Sequence, residues 1–143
     1  MRIQLLLLGK TRRTEIRVLL DDYVGRIRHF VEIEVHELRE ESPAGFRKLT
    51  IANGATIVLL DAAGKEHNSL QFAAWLRKLR DRGEREIVFL CGAATGFPED
   101  LARRATARLS LSPLTFSHEL ARVMLAEQLY RTFTLLAGHP YPK

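Results

Sequence analysis

Three apolar runs, Ile3 to Leu8, Ile57 to Leu60 and Ile87 to Cys91, each end in a turn-forming stretch and are each followed by a segment of helical character. That alternation constrains the chain more than any other feature. Parallel strands need a crossover between them, and strands that alternate with helices imply an α/β domain with a largely parallel sheet. A run that is apolar without a polar face is a strand covered on both sides. The 143 residues suffice for one core and not for two independent ones, so a single domain over 1–143 is expected.

The runs between the strands carry their own signals. After Gly9 and Lys10, the residues Ile16, Leu19, Leu20, Tyr23, Val24 and Ile27 recur at helical spacing. Val31, Ile33 and Val35 alternate with Glu32, Glu34 and His36, the period of a strand with one polar face, and place it at the sheet edge. From Glu37 to Asn53 the pattern weakens around Ser42-Pro43-Ala44-Gly45, which reads as loop. Ser69 can cap a helix that turns Phe72, Ala73, Leu76 and Leu79 inward and ends near Gly83. Pro98 suits the first turn of another helix, with Arg103, Arg104 and Arg108 towards its close. Leu109 and Leu111 alternate with Ser110 and Ser112 as a short strand before Pro113.

A final helix is expected from about His118 to Ala137, closed by Gly138 and Pro140. Its apolar residues, among them Leu120, Val123, Met124, Leu125, Leu129, Tyr130 and Phe133, cover far more than one face, so it needs burial on more than one side. Either a second subunit supplies the extra surface, or the helix is central and flanked by its own sheet and loops.

Charge and composition narrow the function classes. A net charge of +5 and a pI of about 9.8 favour polyanionic partners such as RNA. The opening apolar run is far shorter than the roughly 20 residues that span a bilayer. No small-residue cleavage site follows it, so a cytosolic protein is expected. The lone Cys91 lies inside an apolar run and reads as a core residue rather than a nucleophile. The five histidines, at 29, 36, 67, 118 and 139, show no metal-ligand spacing, and no metal is expected. Gly92-x-x-x-Gly96 follows a buried strand, where open α/β sheets bind ligands, but it lacks the Lys-Ser/Thr of a P-loop and the spacing of the dinucleotide fingerprint. By itself it reads as a tight strand-to-helix turn. Asp61 can be a phosphoacceptor or sugar-binding carboxylate, as in a receiver-like domain, or can cap the turn towards Gly64, the preferred reading. The serines at 110, 112 and 117 lie in no nucleophile elbow.

The carboxyl-terminal third joins these signals. Leu109-Ser-Leu-Ser-Pro-Leu-Thr-Phe-Ser-His118, the following Glu-Leu-Ala-Arg-Val-Met-Leu-Ala-Glu-Gln-Leu-Tyr-Arg131 and the closing Gly138-His-Pro-Tyr-Pro-Lys143 resemble the signature of the bacterial family of large-subunit ribosomal RNA pseudouridine N3-methyltransferases, of the SPOUT class. The likeness extends to Gly9-Lys10, to Leu60 through Gly64 and to the Gly92 loop. The chain departs from the family in Gly92-Ala93 where two glycines are usual, in Ser117 for a proline, in Pro142 where the tail carries a histidine, and in a shorter stretch between His36 and Thr56.

The resemblance implies a parallel sheet flanked by helices with a carboxyl-terminal trefoil knot, S-adenosylmethionine as methyl donor, ribosomal RNA or the ribosome as partner, and a homodimer. It implies that Leu60, Gly92 and the loop Leu111, Ser112, Pro113, Leu114, Thr115 and Phe116 bind the cofactor. His118, Tyr141, Arg122, Arg131 and Lys143 are the candidates for orienting the base, holding phosphate or easing loss of the N3 proton. The rival expectation is a non-catalytic RNA-binding or ribosome-assembly factor that keeps the fold.

Overall fold

The computed structural model describes residues 1–39, 51–92, 97 and 99–141. In chain order the elements are β1 (Arg2–Leu8), α1 (Thr14–Ile27), β2 (Glu32–Leu38), β3 (Thr56–Glu66), α2 (Ser69–Asp81), β4 (Glu86–Cys91), α3 (Glu99–Arg104), β5 (Ala107–Ser110) and α4 (His118–Leu136). All strand pairs are parallel, and the sheet order is β2-β1-β4-β3-β5. The expected α/β domain with a parallel sheet is therefore present. Among the described residues no helix is long and apolar enough to cross a membrane.

The apolar runs form the strands that need two covers. β1 and β4 lie side by side in the middle of the sheet, and β4 is buried along its whole length. Ile3, Leu5 and Leu7 share one face with Phe89 and with the buried sides of α1, α2 and α4. Leu6, Leu8, Leu59, Val88 and Leu90 form the core of the other face with Phe97 and Ala102 packed against it. β2 is the edge strand that its alternating pattern predicts. At the amino ends of the strands, Glu86 anchors the turn before β3 by accepting from the Ala52 amide at 2.7 Å, and it takes a second hydrogen bond from Gln4 at 2.6 Å.

Several expected boundaries shift. Asn68, not Ser69, caps α2, in a reciprocal box with Gln71 that satisfies two amide donors of the first turn. The helix after Pro98 stops at Arg104, and Arg108 belongs to β5, which starts at Ala107 and ends at Ser110. Thr106 explains the early start: its hydroxyl donates to the Ile57 carbonyl and accepts from the Ile57 amide, both at 3.0 Å, which draws the chain into the sheet. The segment Ser42 to Gly45 and residues 93–96 lie outside the described residues.

Helix α4 packs between α1 and α2 against the sheet, with Leu125, Ala126, Leu129 and Phe133 in the core. Its own chain thus covers most of it, and the central-helix alternative accounts for that share of its apolar surface. Leu120, Met124 and Leu135 stay 43%, 45% and 40% exposed on the remaining stripe.

Candidate active site at the carboxyl ends of the strands

Because the strands are parallel, all their carboxyl ends meet one edge of the sheet, the usual place for a ligand in an open α/β fold. There β3 does something its sequence does not advertise. It pairs with β5 through Leu60, leaves the register, and rejoins it at Lys65, so that Leu60 and Lys65 both face Leu109. The residues between them bulge outward. The Asp61 carboxylate holds the bulge, accepting from the Ala63 amide at 2.9 Å and from the Arg108 guanidinium at 2.6 Å. Ser110 adds a bond from its hydroxyl to the Ala62 carbonyl at 3.0 Å. Gly64 is required by the close approach of β5, since a Cβ there would lie 2.7 Å from the Arg108 carbonyl carbon. Asp61 is a turn cap and an ion-pair partner: the Ala63 amide first, and the Arg108 side chain second, hold its carboxyl below the ordinary carboxylate value. That engagement removes the phosphoacceptor reading.

The bulge forms one wall of a cavity of about 420 Å³. β4 contributes Cys91 and Gly92, the loop after β5 contributes Leu111, Ser112, Leu114, Thr115 and Phe116, and the first turn of α4 contributes His118 and Ala121. Small-molecule sites commonly have a volume of this order and combine apolar walls with a few polar groups. The loop is shaped locally, with Ser112 accepting from the Leu114 amide at 3.0 Å and Ser117 capping α4 through the Leu120 amide at 3.3 Å. Cys91 is buried, and burial pushes its thiol up to about 12, so it is a wall residue and no nucleophile.

The structure brings Leu60, Gly92, Leu111, Ser112, Leu114, Thr115, Phe116 and His118 to one cavity. Pro113 belongs to the same loop but is exposed and does not line the cavity. Ala62, Phe97 and Ala121 also join the lining, and no local pattern marks them, because the bulge and the helix face appear only when the loops are assembled.

The other candidates lie elsewhere. Arg122 is 1% exposed, and its guanidinium donates to the carbonyls of Leu8 and Gly9 and to the Thr11 hydroxyl, each at 2.8 Å. Its expected role as a phosphate contact is corrected accordingly: it is a buried tether between α4 and the end of β1. Arg131 is 13 positions beyond His118 on the same helix, roughly 20 Å along its axis. It pairs with Glu127, and its guanidinium carbon lies 4.3 Å from the centre of the Tyr141 ring. Tyr141 also meets Tyr130 edge-on at 5.2 Å, and burial, with hydrogen bonds to Glu127 and Tyr23, holds its phenol well above the ordinary value. A single chain therefore does not unite His118 with Arg131 and Tyr141. Lys143 lies outside the described residues.

A family model described as "Predicted SPOUT methyltransferase" matches residues 1–142. The chain belongs to this SPOUT methyltransferase family. It is 40% identical over 143 residues to a protein named "Ribosomal RNA large subunit methyltransferase H" from Sorangium cellulosum, with 99% of each chain covered. A protein of the same name from Pelobacter propionicus is 40% identical over 151 residues, again with 99% of each covered. Among solved structures, a probable methylase family protein from Haemophilus influenzae Rd KW20 matches the fold with a TM-score of 0.60 at 8% identity, over 99% of this chain and 72% of that one. The cavity thus belongs to a methyltransferase fold, and its walls are the strand-end loops of that fold.

Proposed function

We propose that this methyltransferase transfers a methyl group from S-adenosylmethionine to N3 of a pseudouridine in large-subunit ribosomal RNA, as a single-domain cytosolic homodimer whose carboxyl end carries the trefoil knot of its class. The observation that carries the reading is the convergence of the three strand-end segments on one cavity in a chain of this family. The cavity's makeup fits a nucleoside-bearing cofactor: Leu60, Leu111, Leu114 and Phe116 offer apolar surface to a flat base, Gly92 leaves the backbone open to close approach, and Ser112 and Thr115 offer hydroxyls for a sugar or amino-acid end.

The cofactor, when bound, supplies a sulfonium-activated methyl carbon. The protein's part is alignment of the attacking nitrogen with that carbon, an effect that can lower the barrier by on the order of 7 to 11 kcal/mol. His118, at the cavity wall, is placed to take or relay the N3 proton as the nitrogen bonds to carbon. Tyr141, with its phenol held neutral, helps to orient the base and does not itself act as a base. Because Arg131 and Tyr141 of the same chain lie far along α4 from His118, they reach a bound substrate as residues of a second copy. Exposed apolar side chains near the cavity rim, Leu114, Phe116, Leu120 and Met124, support such self-association.

Calorimetry with S-adenosylmethionine should give binding that Gly92→Val abolishes without unfolding the protein. Mass spectrometry should find a new methyl group on pseudouridine in ribosomes that lack it, and sedimentation should give the dimer mass at micromolar concentration. Cofactor binding with no methylation of any pseudouridine-containing ribosomal substrate would transfer the assignment to a non-catalytic binding factor.

A further inference from the structure

Beside the cavity, on the same edge of the sheet, the carboxyl ends of β1 and β2 enclose a second and larger concavity of about 880 Å³. Lys10, Arg12, Arg17 and Arg39 line it, with Glu37 as its carboxylate. The loop from Gly9 to Arg13 forms one side, and it is held almost entirely by its main chain. Glu37 accepts from the Thr11 amide at 2.7 Å, and Arg17 donates to the Thr11 carbonyl at 2.8 Å. Glu119 accepts from the amides of Arg12 and Arg13, both at 3.0 Å, and Arg122 grips the Gly9 carbonyl from below.

The consequence is electrostatic. Glu37 is engaged with Arg17 at 3.0 Å and with an amide, and Glu119 is engaged with two amides. Lys10, Arg12 and Arg13 are exposed and form no ion pair among the described residues. A fixed loop that crowds three cations into four positions, at the amino end of α1 where the helix dipole is positive, is complementary to closely spaced anions. The acidic Glu15, Asp21 and Asp22 on the adjoining helix argue against a flat anionic membrane and for a narrower polyanion.

The placement gives the anion an identity. The first turn of α4 is a wall shared by both concavities: His118 and Ala121 line the methyl-transfer cavity, while Glu119 and Arg122 hold the basic loop. From β2 to β3 is three strand spacings, roughly 14 Å, a span that a few nucleotides cover. We propose that Lys10, Arg12 and Arg13 form a cradle for the phosphate backbone of the substrate RNA, gripping nucleotides that flank the target and so fixing which base reaches the cavity. This rests on the reading that the substrate is RNA.

The test compares the full-length protein with its Lys10→Ala/Arg12→Ala/Arg13→Ala variant, whose loop backbone keeps its anchors. Binding to deproteinised large-subunit ribosomal RNA is followed from roughly 50 to 200 mM salt, and the slope of log affinity against log salt should fall by about 2 to 2.7, or about 0.7 to 0.9 per phosphate contact. In methylation assays the loss should fall on KM for RNA, raised about tenfold or more, and not on S-adenosylmethionine affinity. A control, Arg77→Ala/Lys78→Ala/Arg82→Ala, removes the same charge near the far end of α2 and should leave the slope unchanged. A wild-type slope in the loop variant, equal slope losses in both variants, or a loss confined to phosphatidylserine vesicles would each overturn the cradle. The binding measurement does not depend on turnover, so wild-type protein that binds RNA through this loop without methylating it would refute the proposed activity and leave the cradle standing.

Discussion

Replacing Arg122 with methionine separates two roles that predict opposite results. The side chain donates to Leu8, Gly9 and Thr11 and is essentially removed from solvent. Methionine keeps much of the volume but leaves two carbonyls and a hydroxyl buried without these donors, and each abandoned group costs about 1 to 3 kcal/mol. Allowing for partial relaxation and entry of water, a loss of roughly 3 to 5 kcal/mol is expected, as for other broken buried networks. In a chain of this length that lowers Tm by roughly 6 to 20 °C. Differential scanning calorimetry at fixed protomer concentration measures it. The salt dependence of RNA binding by the variant, below its Tm, should equal that of the wild type, because Glu37, Arg17 and Glu119 still hold the basic loop. A Tm change under about 2 °C together with a slope reduced by about one phosphate contact would refute the tether and restore the direct contact.

Gly64→Ala should destabilise the protein by about 1 to 3 kcal/mol, because the new methyl meets backbone atoms of Arg108 that cannot move aside as a side chain would; chemical denaturation reads the change. The lowered Asp61 pKa has a definite sign: its stabilisation is complete above the unfolded value near 3.8 and fades as pH falls through the lower folded value, so Asp61→Asn should flatten the acid limb of the stability curve below about pH 4. Unaltered acid sensitivity in that variant would contradict the ion-paired bulge. Cys91, with its thiol pushed up to about 12, should resist iodoacetamide at pH 8 in the native state and react on unfolding; rapid native labelling would mean that the cavity wall opens.

How much of this the sequence discloses depends on the range of the forces involved. Ile3 to Leu8 and Ile87 to Cys91 are legible because a strand covered on both faces must be apolar along its length. The extension of β3 to Glu66 is not, because Asp61 to Gly64 have no periodicity and their conformation is set by β5, more than 40 residues later. Arg122 misleads for the same reason. An arginine on a helix reads as surface, and nothing local reveals that its acceptors are 111 to 114 positions away. The cavity segments were legible through family resemblance, whereas periodicity alone left the Gly92 loop as a turn. The separation of Tyr141 from His118 follows from the straight run of α4, which the sequence does show, but it matters only once the tail is seen folded back on Tyr130 and Arg131.

The Arg122 tether also sets an order of events during synthesis. β1 is made before the other strands and lies in the middle of the sheet, yet the Arg122 donor to its last carbonyl, and the α4 residues that complete the cover of Leu5 and Leu7, come about 114 positions later. At roughly 5 to 20 residues per second, the nascent strand waits about 6 to 23 s for them. Through that interval its apolar face and its unpaired edge are exposed to any other growing chain. A protein built this way closes its core only once α4 has been made, so termination before α4 should yield aggregate and not a smaller folded domain.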